Sequence, residues 1–231
     1  MDRYWLWVGA RLIVAAVIVG WAVSALMPGS GEKEFQKTLD AMKQVHSFRV
    51  AFAGSPGANL HNEFLWEIDC DRDLAHFQQR IVQKATDPPL ETNRDEVHAG
   101  GRDYERKPDG SWTQGQYVTS GSARQFCTNL AQGDDSNVLP QIATMIHRGI
   151  IQKGDKKTVN GVRCREWLVT MKGGYRGLEH DTVCIGLDDH LPYELTVDWE
   201  NSRTSYSDYN NSIRFDLPEA AVQPASATGS N

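Results

Sequence analysis

The chain has 231 residues, 24 lysines and arginines against 30 aspartates and glutamates, and a formal net charge of −6. That length suits one domain with a substantial core, and the acidic balance excludes the basic footprint that nucleic-acid binding requires. The sequence holds no zinc-finger, RRM or Walker-type motif either, so no nucleic acid is expected as a partner.

Residues 4–27, YWLWVGARLIVAAVIVGWAVSALM, carry a single charge, Arg11. Read whole, the stretch is long enough to cross a bilayer. Read in parts, MDRYWLWVGAR is an n-region, LIVAAVIVGWAV an h-region, and Val23-Ser24-Ala25 a small-residue cleavage signal. Residues 1–27 are thus a signal peptide or a signal-anchor transmembrane helix. Both readings export the rest of the chain, because Arg3 and Arg11 precede the apolar core. We expect a periplasmic or extracytoplasmic protein, anchored in the inner membrane by residues 4–27 if that segment is retained. Export gives Cys70, Cys127, Cys164 and Cys184 a meaning: their even number fits disulfides in an oxidising compartment. Their spacing lacks the tight C-x-x-C of structural zinc or thioredoxin chemistry.

Residues 28–34 form a spacer, with Pro28, Gly29 and Gly31 ending the apolar run. Phe35, Leu39, Met42 and Val45 then fall at helical spacing and mark one packing stripe of an amphipathic helix. The period changes to two in SFRVAFAG, residues 47–54, where Phe48, Val50 and Phe52 share a face. After the turn signal SPGAN, NEFLWEIDC sets Phe64, Trp66 and Ile68 on one face, and HFQQRIVQKA reads as a further strand. Lys107-Pro108-Asp109-Gly110 is the clearest hairpin cue, so the first half is a meandering antiparallel sheet.

Residues 122–149 interrupt it with two short helices, one carrying Phe126 and Leu130, the other Leu139, Ile142, Ala143 and Ile146. Strands return around the tight-turn pair Asn160-Gly161. The alternating Val162 and Cys164 are followed by Trp167, Val169 and Met171 in the other phase, which suggests a bulge. HDTVCIGLDDHLPYELTVDWE supplies two more strands. Four cysteines allow three pairings: Cys164 and Cys184 sit in successive strands as candidate neighbours, which by elimination would pair Cys70 with Cys127, and a set of buried free thiols is the alternative. The domain is expected over residues 35–221, and the small-residue tail 222–231 is expected to be disordered.

For catalysis the best constellation is His180, Asp181, Asp188, Asp189 and His190, which is the basis of a remote alternative as a metal-dependent hydrolase. It has neither HExxH spacing nor a cysteine set, and DDH before LP reads as a polar turn. Ser202, Ser205 and Ser207 in NSRTSYSDYN lack a GxSxG context and lie along a strand. In that strand, Tyr206 and Tyr209 point to opposite faces if the alternation is unbroken. We expect no enzyme, catalytic residue, metal or cofactor.

The order of elements resembles the LolA/LolB-like superfamily of lipoprotein-localisation factors, which includes outer-membrane lipoprotein-sorting proteins. The resemblance rests on AMKQVHSF leading into the first strand, the GRDYERKPDGSW hairpin, the central helical interruption, NGVRCREWLV, and DDHLPYELTVDW followed by TSYSDYNNSIRFDLPE, over residues 32–221. It implies an α+β fold: a strongly curved antiparallel sheet, or half-barrel, closed by short helices, with the N-terminal signal or transmembrane helix ahead of it. It also implies a lipid, lipoprotein acyl chain or other hydrophobic ligand held between sheet and helices. The side chains it points to are Phe48, Val50, Phe52, Phe64, Trp66, Ile68, Trp167, Leu195, Val197, Trp199 and Tyr206, with Leu139, Ile142 and Ile146 from the helices. The alternative is a membrane-tethered envelope protein-protein interaction or sensor module without bound lipid, in which those residues fill the core and the partner is another envelope protein.

Overall fold

The computed structural model describes residues 30–55, 57–115, 122–132, 142–172, 178–198 and 201–218. In chain order these form α1 (Ser30–Met42), β1 (Ser47–Gly54), β2 (Leu60–Asp69), β3 (Leu74–Gln83), β4 (Leu90–Ala99), β5 (Arg102–Arg106) and β6 (Trp112–Gln114). There follow α2 (Ala123–Gln132), α3 (Ile142–Arg148), β7 (Gly149–Val159), β8 (Val162–Lys172), β9 (Leu178–Gly186), β10 (Pro192–Val197) and β11 (Ser202–Ser207). The first helix thus begins inside the segment read as a spacer.

The eleven strands among the described residues join one antiparallel sheet in the order β6-β5-β4-β3-β2-β1-β11-β10-β9-β8-β7. Two meanders are joined where β1 pairs with β11, Val50 opposite Tyr206 and Phe52 opposite Thr204. Turn chemistry closes the hairpins. Gly110 donates to the Lys107 carbonyl at 2.8 Å between β5 and β6, and Asn160 and Gly161 take φ of 49° and 82° between β7 and β8.

The register fixes which side chains share a face. Phe48, Val50 and Phe52 pair across β2 with Ile68, Trp66 and Phe64, and Trp66 pairs onward with Phe77 on β3. On the other side, Leu195 pairs with Val183, which pairs with Trp167. This is the face the helices cover. Phe35 of α1 meets Trp167 edge-on at 6.2 Å, and Phe126 of α2 lies 5.8 Å from both Phe48 and Trp66. Ile142 and Met145 of α3 are buried in the same core. Gly31 permits α1 to close on β7, since a Cβ there would meet Ile151 Cγ2 at 2.5 Å.

The half-barrel expectation is corrected. The sheet runs in one linear order with β6 and β7 as separate edges; it is neither closed nor curled, and the helices lie on one of its faces. The physical reason lies in the register. Strong curvature is produced by bulges and glycine kinks, whereas pairing between β1, β2 and β3 runs without a shift. Shifts occur towards the β7 side, at Pro192/Glu194 and Lys153/Lys156. The second of these sits in β7 rather than β8: Cys164 and Trp167 lie on opposite faces of one regular strand, so the phase change seen in the sequence is a change of face.

The expectation of a transmembrane helix is corrected as well. Among the described residues no helix is long and apolar enough to cross a membrane. With 13 residues, α1 spans about 20 Å, short of the roughly 30 Å hydrocarbon layer. Residues 4–27 lie outside the described residues.

Two disulfides staple the sheet. Cys164 and Cys184 join β8 to β9 on the face away from the helices, with Cα atoms 5.6 Å apart. Cys70 and Cys127 tie the β2–β3 turn to α2, with Cα atoms 6.1 Å apart. The same turn caps that helix: Asp73 Oδ1 accepts from the Arg124 N–H at 2.9 Å and from Ser122 Oγ at 2.8 Å. The first bridge spans 20 residues of sequence and the second 57. Replacing Cys164 and Cys184 together by alanine is expected to cost about 3 kcal/mol of unfolding free energy, and replacing Cys70 and Cys127 about 4 kcal/mol. Urea unfolding of the two double variants checks this; a larger loss for the shorter loop would contradict the loop-length account.

Candidate functional site

The residues marked out in the sequence for an apolar ligand mostly converge, but in packing. Phe48, Val50, Ile68, Ile142, Trp167 and Tyr206 are at most 4% exposed and belong to one core cluster. Phe64, Trp66, Ile146 and Leu195 are half-buried against it. Phe52 stacks on Phe64 at 4.7 Å, and Phe64 and Trp66 reach Phe77 at 6.0 and 5.5 Å, forming an aromatic shelf over β1–β3. The Trp66 Nε1–H is buried there without a hydrogen-bond acceptor. Leu139 and Trp199 lie outside the described residues. Phe77 and Phe126, which complete the shelf, were not singled out from the sequence as ligand-lining. Phe77 has the period-two signal, sharing a face with Ala75.

Two surface hollows lie outside the fully buried apolar cluster, and each touches one residue of the set marked in the sequence. One, of about 420 Å³, lies over Phe64, Leu65, Gln78, Gln79, Arg80 and their neighbours on β4. The other, of about 610 Å³, includes Val197 but is otherwise lined by polar groups, among them Lys157, Glu194, Thr196 and Arg203. In it the buried Glu194 carboxylate accepts from Lys157 Nζ at 2.6 Å and pairs with Arg203. Burial raises the Glu194 pKa, but the hydrogen bonds from Lys157 and Arg203 outweigh it and hold the carboxyl below its ordinary value.

NSRTSYSDYN departs from the expected alternation at one residue. The strand ends at Ser207 and Asp208 takes a positive φ of 55°, which reverses the phase. Tyr206 and Tyr209 therefore both join the core cluster. Tyr209 lies 6.3 Å from Phe48 and 5.6 Å from Tyr193, and its hydroxyl donates to the Pro192 carbonyl at 2.5 Å.

The histidines and acids considered for metal chemistry are dispersed. His180 pairs with Thr170 at 3.1 Å, and His190 reaches Glu34 of α1 at 2.7 Å. Asp189 accepts from the Tyr193 hydroxyl at 2.5 Å, Asp188 lies 3.8 Å from Arg163, and Asp181 is buried in β9. No metal-ligand cluster occurs among the described residues.

The polar constellation that does assemble was missed in the sequence. On the face away from the helices a ladder of charges crosses the sheet from β11 to β5. Arg49 donates to Asp208 at 2.7 Å and to Glu67 at 2.6 Å. His76 bridges Glu67 at 2.9 Å and Asp95 at 2.8 Å, and Asp95 lies 3.5 Å from Arg106. Both ring nitrogens of His76 face carboxylates, so both donate and the ring is an imidazolium. Burial pulls its pKa down, but the hydrogen bonds and charges of Asp95 and Glu67 outweigh that and raise it to about 9. Burial likewise raises the carboxyls, and His76 with Arg49 holds Glu67, and with Arg106 holds Asp95, below the ordinary range.

The sign of the pH dependence follows. His76 has a folded pKa above its ordinary 6.5, so its contribution is complete below about pH 6.5 and is lost as pH rises through about 9. Glu67 and Asp95 contribute above their ordinary values of 4.5 and 3.8, and lose that contribution as pH falls. Replacing His76 by glutamine is expected to cost at most about 3 kcal/mol near pH 6, progressively less as pH rises from about 6.5 to 9, and little above that. Urea unfolding of both proteins across pH checks the trend, and a difference that grows between pH 7 and 10 would contradict it.

No protein-family model matches the sequence, and no curated protein matches it. Solved structures do match in fold. LprF from Mycobacterium bovis aligns over 83% of this chain and 98% of its own at 10% identity, with a TM-score of 0.56. The MucA/MucB complex of Pseudomonas aeruginosa aligns at 14% identity and a TM-score of 0.40 over 85% of this chain, which spans 61% of that chain. A LolA superfamily protein from Nitrosomonas europaea aligns at 11% identity over 85% of this chain and 98% of its own, with a TM-score of 0.28. The last two scores are too low to carry a conclusion about either fold or site. The LprF alignment shows a shared fold at low identity and broad coverage.

Proposed function

We propose that this chain is a non-enzymatic extracytoplasmic protein that acts by binding another envelope protein, without enclosing a lipid. The observation that carries the reading is the state of the helix-covered face. Phe48, Val50, Ile68 and Tyr206 are at most 1% exposed, and they pack on the helices and on one another. Apolar side chains already withdrawn from water have no further area to offer an acyl chain. The compartment is supported by the pairing of all four cysteines, a state favoured outside the reducing cytosol. A non-catalytic role is supported by the engagement of the candidate histidines and acids in separate structural contacts.

A second reading has one observation in its favour. The Trp66 indole N–H is buried without an acceptor among Phe77, Phe126 and the Phe52–Phe64 stack, and an unpaired buried donor costs about 1–3 kcal/mol. An apolar molecule with a carbonyl oxygen, such as a lipid or lipoprotein acyl chain, would satisfy it by lying on the shelf.

Native mass spectrometry with lipid extraction, on protein purified from its own envelope, separates the two readings. The first predicts an empty chain recovered with one protein partner in fixed ratio. Stoichiometric acyl ligand that falls away in Trp66→Phe, which deletes the indole N–H, would overturn it in favour of the second.

A further inference from the structure

The face of the sheet away from the helices carries an apolar patch separate from the main core. Leu74 of β3 with Val97 and Ala99 of β4 form it, and Trp112 of β6 packs at its side. What covers it is the chain's own C-terminal segment, through Phe215 and Leu217.

That segment is held differently from the rest of the protein. It leaves β11 through Asp208 and Asn210, both at positive φ, and residues 212–218 form neither strand nor helix. Its first part is tied by hydrogen bonds: the Asn210 N–H donates to the Ser47 carbonyl at 2.8 Å, Ser47 Oγ to the Asn211 carbonyl at 2.7 Å, and Arg72 to the Ile213 carbonyl at 2.5 Å. Beyond Ile213 the described contacts are made by side chains. The Arg72 guanidinium stands 5.3 Å over the Phe215 ring, and Arg106, 5.7 Å from the Trp112 ring, lies 3.9 Å from Asp216. Phe215 and Leu217 therefore turn to the patch while Asp216 between them turns outward to an arginine. This is the period-two contact of an extended peptide, made without a strand ladder.

We propose that this patch is a docking site for an extended segment of a protein partner with an apolar-acidic-apolar pattern, and that Phe215-Asp216-Leu217 is its built-in occupant, displaced when the partner binds. The inference rests on the protein-interaction reading above and names its surface and its partner class. Arg106 complements the acidic residue and Arg72, ion-paired with Asp69, stacks on the aromatic one, while Leu74, Val97 and Ala99 take the apolar pair. The tether gives the internal segment an effective concentration on the order of millimolar, so a partner meets a patch that is mostly closed and binds with its affinity reduced by the fraction that is open.

The test uses the full chain and a fluorescent peptide of sequence SIRFDLP, which copies residues 212–218. The Phe215→Ala/Leu217→Ala chain is expected to bind this peptide at least ten-fold more tightly than the unaltered chain. A peptide with alanine in place of its phenylalanine and leucine is expected to bind neither. A folded double variant that binds no peptide, or equal binding by both chains, overturns the proposal. Hydrogen exchange on the unaltered chain decides the case if the variant does not fold. Amides of residues 214–217 are expected to exchange at least ten-fold faster than those of Val97 and Ala99, and equal protection overturns displacement. A dimer of the unaltered chain formed by exchanging this segment would overturn the partner assignment in favour of a second copy. None of these readouts depends on lipid content, so a failure here leaves the mass-spectrometric outcome to stand or fall separately.

Discussion

Burial of Phe48, Val50, Ile68 and Tyr206 beneath three short helices is the contact on which the remaining structure depends. These residues belong to β1, β2 and β11, the strands at which the two meanders meet, so one packing event joins both halves of the chain. Non-local pairing of β1 with β11 brings together residues 148 to 158 positions apart. It is secured by aromatic contacts that reach from Phe52 through Phe64, Phe77, Trp66 and Phe126 to Phe48, Tyr209 and Tyr193.

Covering one face leaves the other to be stabilised without helices. The molecule does so by three means, each tied to position. Around β1–β5, buried charges neutralise one another in the ladder centred on His76. Around β7–β11, Lys157 and Arg203 neutralise Glu194, and Cys164–Cys184 clamps β8 to β9. Over β3–β5, Phe215 and Leu217 shield the apolar patch that neither network reaches. Buried charge of this kind is costly to break, because removing one partner strands the other. The far face is thereby well specified without a covering layer of helices.

Much of the strand content was legible because a half-buried strand advertises itself by alternation: Phe48, Val50 and Phe52, then Phe64, Trp66 and Ile68, were each assigned to one face and share it. The KPDG and Asn160-Gly161 turns were legible for the same local reason, since each matches a specific backbone need. Sheet curvature was not, because alternation is identical in a flat sheet and a half-barrel, and the difference lies in bulges and global closure. The charge ladder escaped notice because Arg49, Glu67, His76, Asp95 and Arg106 sit on five strands and meet only through register. Tyr209 was placed on the wrong face because a single positive φ at Asp208 inverts the period. The set marked for a ligand was legible as apolar, and since a core and a cavity lining demand the same residues, alternation alone does not separate the two.

The central claim is that the helix-covered interior is closed to acyl chains by its own side chains. Titrating the folded protein with palmitate while following the indole N–H resonances of Trp66 and Trp167 tests it most directly. Trp167, edge-on to Phe35 in the core, is expected not to move at any ligand concentration. A saturable, one-to-one shift of both indole signals would contradict it.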